Sequence, residues 1–143
     1  MSTLIDPQSP SRRPRIEPGE ASVRSQVWRV LSAMYPQVQR PERRSEERYP
    51  YPRLVYLAPV AEDGISPLGE SLIVAGKHLS EHGLGFFHPA PLTHRRVIAT
   101  LERVDDEWLS FLLDVRWCRF SRLGWYESGG RFLRLLPNWR RPE

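Results

Sequence analysis

A chain of 143 residues, 40% of them hydrophobic, can build one buried core but not two, and 14 prolines with a mean hydropathy of −0.50 imply that part of it lies outside that core. The net charge of +4 and pI of about 9.7 rest on arginine, because Lys77 is the only lysine. Planar guanidinium forks suit phosphates and the Hoogsteen edge of guanine, so an anionic guanine-containing ligand fits this balance, with a general bias towards arginine codons as the bland alternative.

Residues 1–19 hold Pro7, Pro10, Pro14 and Pro18 with the charged run Arg12-Arg13-Pro14-Arg15, and read as a flexible tail that buries little. Over residues 20–35 the spacing changes. Val23, Val27, Leu31 and Met34, widened by Trp28 and Val30, predict one amphipathic helix that ends before Pro36. Residues 36–52 form a second proline-punctuated linker that carries an arginine cluster, Arg43-Arg44-Ser45-Glu46-Glu47-Arg48. Beyond it the periodicity falls to two. Arg53 to Val60, Ser71 to Gly76, Leu84 to His88, Arg95 to Val104, Trp108 to Phe120 and Trp125 to Leu135 read as strands. Asp105-Asp106 marks a hairpin, and Leu109, Phe111, Leu113, Val115 and Trp117 alternate on one face of the long strand, opposite Ser110, Asp114 and Arg116. Six short strands with turn signals and no βαβ alternation predict a mainly β domain over residues 53–136, an antiparallel barrel or sandwich, with a short tail at 137–143.

The arginine cluster and the polar turn His78-Leu79-Ser80-Glu81-His82-Gly83, followed by the apolar run Leu84-Gly85-Phe86-Phe87, resemble the nucleotide-binding elements of the PilZ family. Its members bind the bacterial second messenger cyclic di-GMP with an RxxxR segment and a (D/N)xSxxG turn. The order of segments agrees from Arg44 through Leu54 to Val60, Leu72-Ile73-Val74, the turn, Val115-Arg116-Trp117 and Gly129-Gly130-Arg131-Phe132. The resemblance implies a six-stranded antiparallel PilZ-like β-barrel and a bacterial signalling role. It also implies a ligand site built from Arg44, Arg48, His78, Ser80 and Gly83.

In that site Arg44 and Arg48 would clamp phosphates or guanine O6 and N7, Ser80 would donate or accept beside them, and Gly83 would allow close approach. Two departures stand out. The family turn begins with Asp or Asn where this chain has His78, whose neutral ring offers one acceptor nitrogen; and Pro137-Asn138-Trp139-Arg140-Arg141-Pro142 does not continue as the helix that many relatives carry. Ser66-Pro67-Leu68-Gly69 also supplies SxxG, but reads as the loop between the first two strands.

No cofactor, metal or enzymatic activity is expected. A single cysteine excludes an internal disulfide framework and a thiolate-rich zinc site, and Cys118 reads as a small buried residue beside Trp117. His78, His82, His88 and His94 should be scattered over different faces, and Ser80 and His82 stand too close in a tight turn to act as nucleophile and base. No apolar stretch approaches the roughly eighteen residues of a membrane span, and Asp6 and Pro7 do not suit a signal peptide, so a cytoplasmic protein is expected. The expected partners are cyclic di-GMP and an unidentified protein. Net charge with Trp125, Tyr126 and Trp139 also suits nucleic acid, but without an aromatic-basic motif on a defined strand that reading is disfavoured.

Overall fold

The computed structural model describes residues 18–41, 46–64, 66–104, 107–121, 124–137 and 139. Residues 1–17 of the expected tail, Arg44, the Asp105-Asp106 turn and residues 140–143 lie outside them. Helix α1 spans Pro18–Met34. Pro18 opens it where a missing N–H costs nothing, and Pro36 disfavours further helix, although the Tyr35 N–H still donates to the Leu31 carbonyl at 2.7 Å. The predicted stripe is the buried face: Val23, Val27, Trp28, Val30 and Leu31 all enter the main core. The helix therefore packs on its own domain.

Among the described residues seven strands follow: β1 (Tyr49–Pro50), β2 (Leu54–Pro59), β3 (Leu72–Leu79), β4 (Gly83–His88), β5 (Arg96–Val104), β6 (Glu107–Phe120) and β7 (Tyr126–Leu135). Six of them form a closed antiparallel barrel in the order β3-β2-β5-β6-β7-β4, because β4 also pairs with β3. Closure leaves little free sheet edge, which a small all-β domain must otherwise protect. β1 is the lead-in to β2. Both run antiparallel to β3, and between them the Tyr51 N–H donates to the Lys77 carbonyl and the Gly76 N–H to the Arg53 carbonyl, so the arginine-bearing segment joins the barrel wall at Tyr49. Ser66-Pro67-Leu68-Gly69 belongs to the connection between β2 and β3, with Val60 bridged to Pro67.

The interior holds Val55, Leu57, Val74, Leu79, Leu84, Phe86, Val97, Leu101, Phe111 and Leu113 beneath α1. The simple alternation predicted for β6 fails at both ends. From Leu109 to Asp114 every residue is buried, because Leu112 packs with Ala58, Val60 and Ile98 on the outer face, where Leu136 and Trp139 cover them. From Arg116 to Phe120 every residue is exposed, Cys118 and Trp117 included, since the pairing with β5 reaches only to Asp114. Cys118 is thus not the buried residue that its neighbours suggest.

Candidate functional site

One row of residues crosses four strands. His78 on β3 pairs with Gly85 on β4, Gly85 with Gly129 on β7, and Gly129 with Trp117 on β6. Two rings thus flank two glycines. A Cβ on Gly85 would stand 2.6 Å from the His78 imidazole, and one on Gly129 would stand 2.5 Å from the Trp117 indole, so each ring covers its glycine where a side chain would displace it. The bulges beside His78 and Trp117 lie at both ends of this row.

The turn from Ser80 to Gly83 borders the row. The Ser80 N–H donates to the Gly83 carbonyl at 3.0 Å, and the Ser80 Oγ accepts from the N–H groups of His82 and Gly83 at 3.2 and 3.3 Å. The hydroxyl oxygen shapes the turn while its proton stays available to a ligand. Gly83 has no room for a side chain, which would collide with the Gly130 carbonyl oxygen. Glu81 points the other way. It is 3% exposed and accepts from Arg24 Nε at 3.1 Å and Trp28 Nε1 at 2.6 Å, tying the turn to α1.

Together these elements line an open cleft of about 210 Å³. Of the expected site residues, Arg48, His78, Ser80 and Gly83 lie around it, and Arg44 falls outside the described residues. The cleft also takes in His82, Arg116, Trp117 and Arg131, which the sequence did not single out as site residues. His82 comes with the turn itself, while the register of β6 against β7 brings Arg116, Trp117 and Arg131 there; the sequence signal for these three was their place in the segments Val115-Arg116-Trp117 and Gly129-Gly130-Arg131-Phe132, which carry the resemblance without being read as site residues. Arg48, Arg116 and Arg131 outweigh Glu46, so the cleft is positive. Burial, then the charges of Arg48 and Lys77, push the His78 pKa below its ordinary 6.5 against the opposing pull of Glu127, and the imidazole is neutral near pH 7. Its Nδ1 is buried without a hydrogen-bond partner among the described residues.

This arrangement offers guanidinium forks for phosphate or guanine edges and ring faces for stacking. Of the other histidines, His88 is fully buried. Its Nδ1 stands 2.6 Å from the Ala90 carbonyl oxygen and must donate there, and its Nε2 lies 2.7 Å from the Ser128 hydroxyl, so both ring nitrogens are engaged and the ring is a structural group. Among the described residues no three His, Cys, Asp or Glu side chains come together as metal ligands.

No family model and no curated protein matches this chain. Among solved structures it is similar to the Bacillus subtilis inhibitor of motility MotI/DgrA, at 13% identity and a TM-score of 0.48 over 69% of this chain and 45% of that one. It is also similar to MrkH of K. pneumonia in its apo state, at 17% identity and a TM-score of 0.47 over 68% of this chain and 46% of that one. The chain spans less than half of either protein, and likenesses of this size carry no functional argument.

Proposed function

We propose that the chain is a PilZ-like cyclic di-GMP-binding module that relays second-messenger binding to a protein partner. One observation carries this reading. Arg48 and the turn residues His78, Ser80 and Gly83 line the same cleft although thirty or more positions separate them in the chain. Cyclic di-GMP presents two phosphates and two guanines, and so calls for guanidinium groups and flat faces together. Arg48 and Arg44 clamp it from the lead-in to the barrel, the Ser80 hydroxyl donates to it, and Arg116 and Arg131 hold it from the opposite wall. The barrel over residues 53–136 is the binding unit, and the lead-in over residues 36–52 closes on the ligand and carries the signal outward.

A second reading is favoured by His78. The imidazole is neutral and seated on Gly85, where the PilZ pattern has an acidic or amide side chain that accepts from guanine, and a chain so changed serves as a protein-interaction adaptor without nucleotide. Calorimetric titration with cyclic di-GMP, using GMP and a short RNA as controls, decides between the two. Saturable heat with cyclic di-GMP alone supports the sensor. Its absence at high protein concentration leaves the adaptor.

A further inference from the structure

Beside the cleft, on the outer wall of β5 and β6, one carboxylate gathers three arginines. Asp114 is buried, with a side chain 4% exposed. Its Oδ1 accepts from Arg95 Nε at 2.9 Å and Arg96 Nε at 3.1 Å, and its Oδ2 from Arg116 Nε at 2.6 Å and Arg95 Nη2 at 3.3 Å. Every guanidinium is thus held by its Nε edge. The three side chains remain 68%, 32% and 50% exposed in the same order, and the other hydrogen bond they make among the described residues is a long one, 3.5 Å, from Arg96 Nη1 to the Glu62 carbonyl.

Three positive charges against one negative leave a surplus of two. One arginine would suffice to neutralise Asp114. Crowding two more guanidiniums onto the same carboxylate costs mutual repulsion, which an added dianion would relieve. Burial disfavours the Asp114 carboxylate, but hydrogen bonds from Arg116, Arg95 and Arg96 outweigh it and hold the pKa below its ordinary 3.8, so the anchor stays ionised near neutral pH. Arg131, the register partner of Asp114 on β7, adds positive charge alongside.

We propose that Arg95, Arg96 and Arg116, held by Asp114, form a second binding site that takes a phosphomonoester dianion. The charge matches the surplus, and the terminal nitrogens of anchored guanidiniums meet phosphate oxygens with little further ordering. Arg95 and Arg96 do not line the cleft, so this site stands apart from the cyclic di-GMP reading although Arg116 borders both. The phosphate comes from a free phosphorylated metabolite or from a phosphorylated side chain of a partner.

The test follows the arginine Nε–Hε resonances of the full chain by NMR during titration with inorganic phosphate, phosphoserine and a short neutral phosphoserine peptide, at ionic strength fixed with chloride. Saturable shifts at Arg95, Arg96 and Arg116, with Arg29 as an unmoved control, are expected. Arg95→Gln, at the most exposed of the three, should weaken the phosphate at least about tenfold without unfolding the chain or altering cyclic di-GMP affinity. Tighter binding of the peptide than of phosphoserine identifies a partner protein as the source, and equal binding a small molecule; either supports the site. Shifts that grow linearly, that chloride reproduces, or that survive both Arg95→Gln and Asp114→Asn overturn it.

Discussion

Replacing Arg48 by Ala takes one guanidinium from the cleft and little from the fold, because the side chain is exposed. Charge-assisted hydrogen bonds of about 1.5–3 kcal/mol go with it, so cyclic di-GMP affinity should fall at least about tenfold while Tm barely moves. Arg44→Ala should behave alike, and Arg48→Lys should rescue poorly because it restores charge without the fork. Unchanged affinity in both Ala variants would remove the arginine clamp. His78 makes a separate prediction. Its folded pKa lies below 6.5, so the folded chain takes up the proton less readily than the unfolded one. The contribution to stability is complete above about pH 6.5 and declines as pH falls from there towards the folded pKa. Asp114 and Glu127 also have lowered pKa values and the same sign, but they act below their ordinary 3.8 and 4.5. Thermal melts of wild type and His78→Asn between pH 7.5 and 5 should therefore diverge as the pH drops, the variant losing less. Parallel curves would show that His78 is not the titrating group. The same variant supplies a carbonyl acceptor and should raise cyclic di-GMP affinity if the site is functional but impaired.

Among the elements, the turn between β3 and β4 and helix α1 are joined by a buried charge. Glu81→Ala leaves Arg24, itself 8% exposed, without its carboxylate and Trp28 Nε1 without its acceptor, and should destabilise the chain by about 3–5 kcal/mol in denaturant titration. A loss below about 1 kcal/mol would mean that the pair is solvated in solution. Nothing in the sequence marks Glu81. It stands in a polar turn like any surface acid, and its partners lie 57 and 53 positions away. The strands and the helix were legible because apolar spacing and turn residues are local signals, and β2 to β7 fall within a few residues of their expected bounds. What escaped was set by register and by what covers each face. Leu112 is buried on the outer wall because Leu136 and Trp139 return over it, and Cys118 is exposed because β6 outruns β5. Arg116, Trp117 and Arg131 reach the cleft only through the pairing of β6 with β7. Arg48 and the turn were singled out because the resemblance assigns ligand contacts to those two segments, whereas it uses the segments of Arg116, Trp117 and Arg131 only as strand markers.

At the scale of the whole molecule, the question is what a bound nucleotide could move. Detaching α1 would expose Val23, Val27, Trp28, Val30 and Leu31, each at most 4% exposed, at about 1.5–3 kcal/mol per side chain, or roughly 7–15 kcal/mol before the Glu81 contacts are broken. A micromolar ligand supplies about 8 kcal/mol in all, and only the difference between its affinities for two states can shift them. Helix release is therefore too costly a relay. The cheaper movement is closure of the lead-in, where residues 46–48 are exposed and Arg48 lines the cleft, against a barrel and helix that stay docked. Hydrogen exchange tests this choice directly. Cyclic di-GMP should slow exchange over residues 46–48 and 78–83 while amides from Val23 to Leu31 keep the protection they have without ligand. Faster exchange along that stretch of α1 on binding would show that the helix itself carries the signal, and that the docking energy reckoned from its buried face is too high.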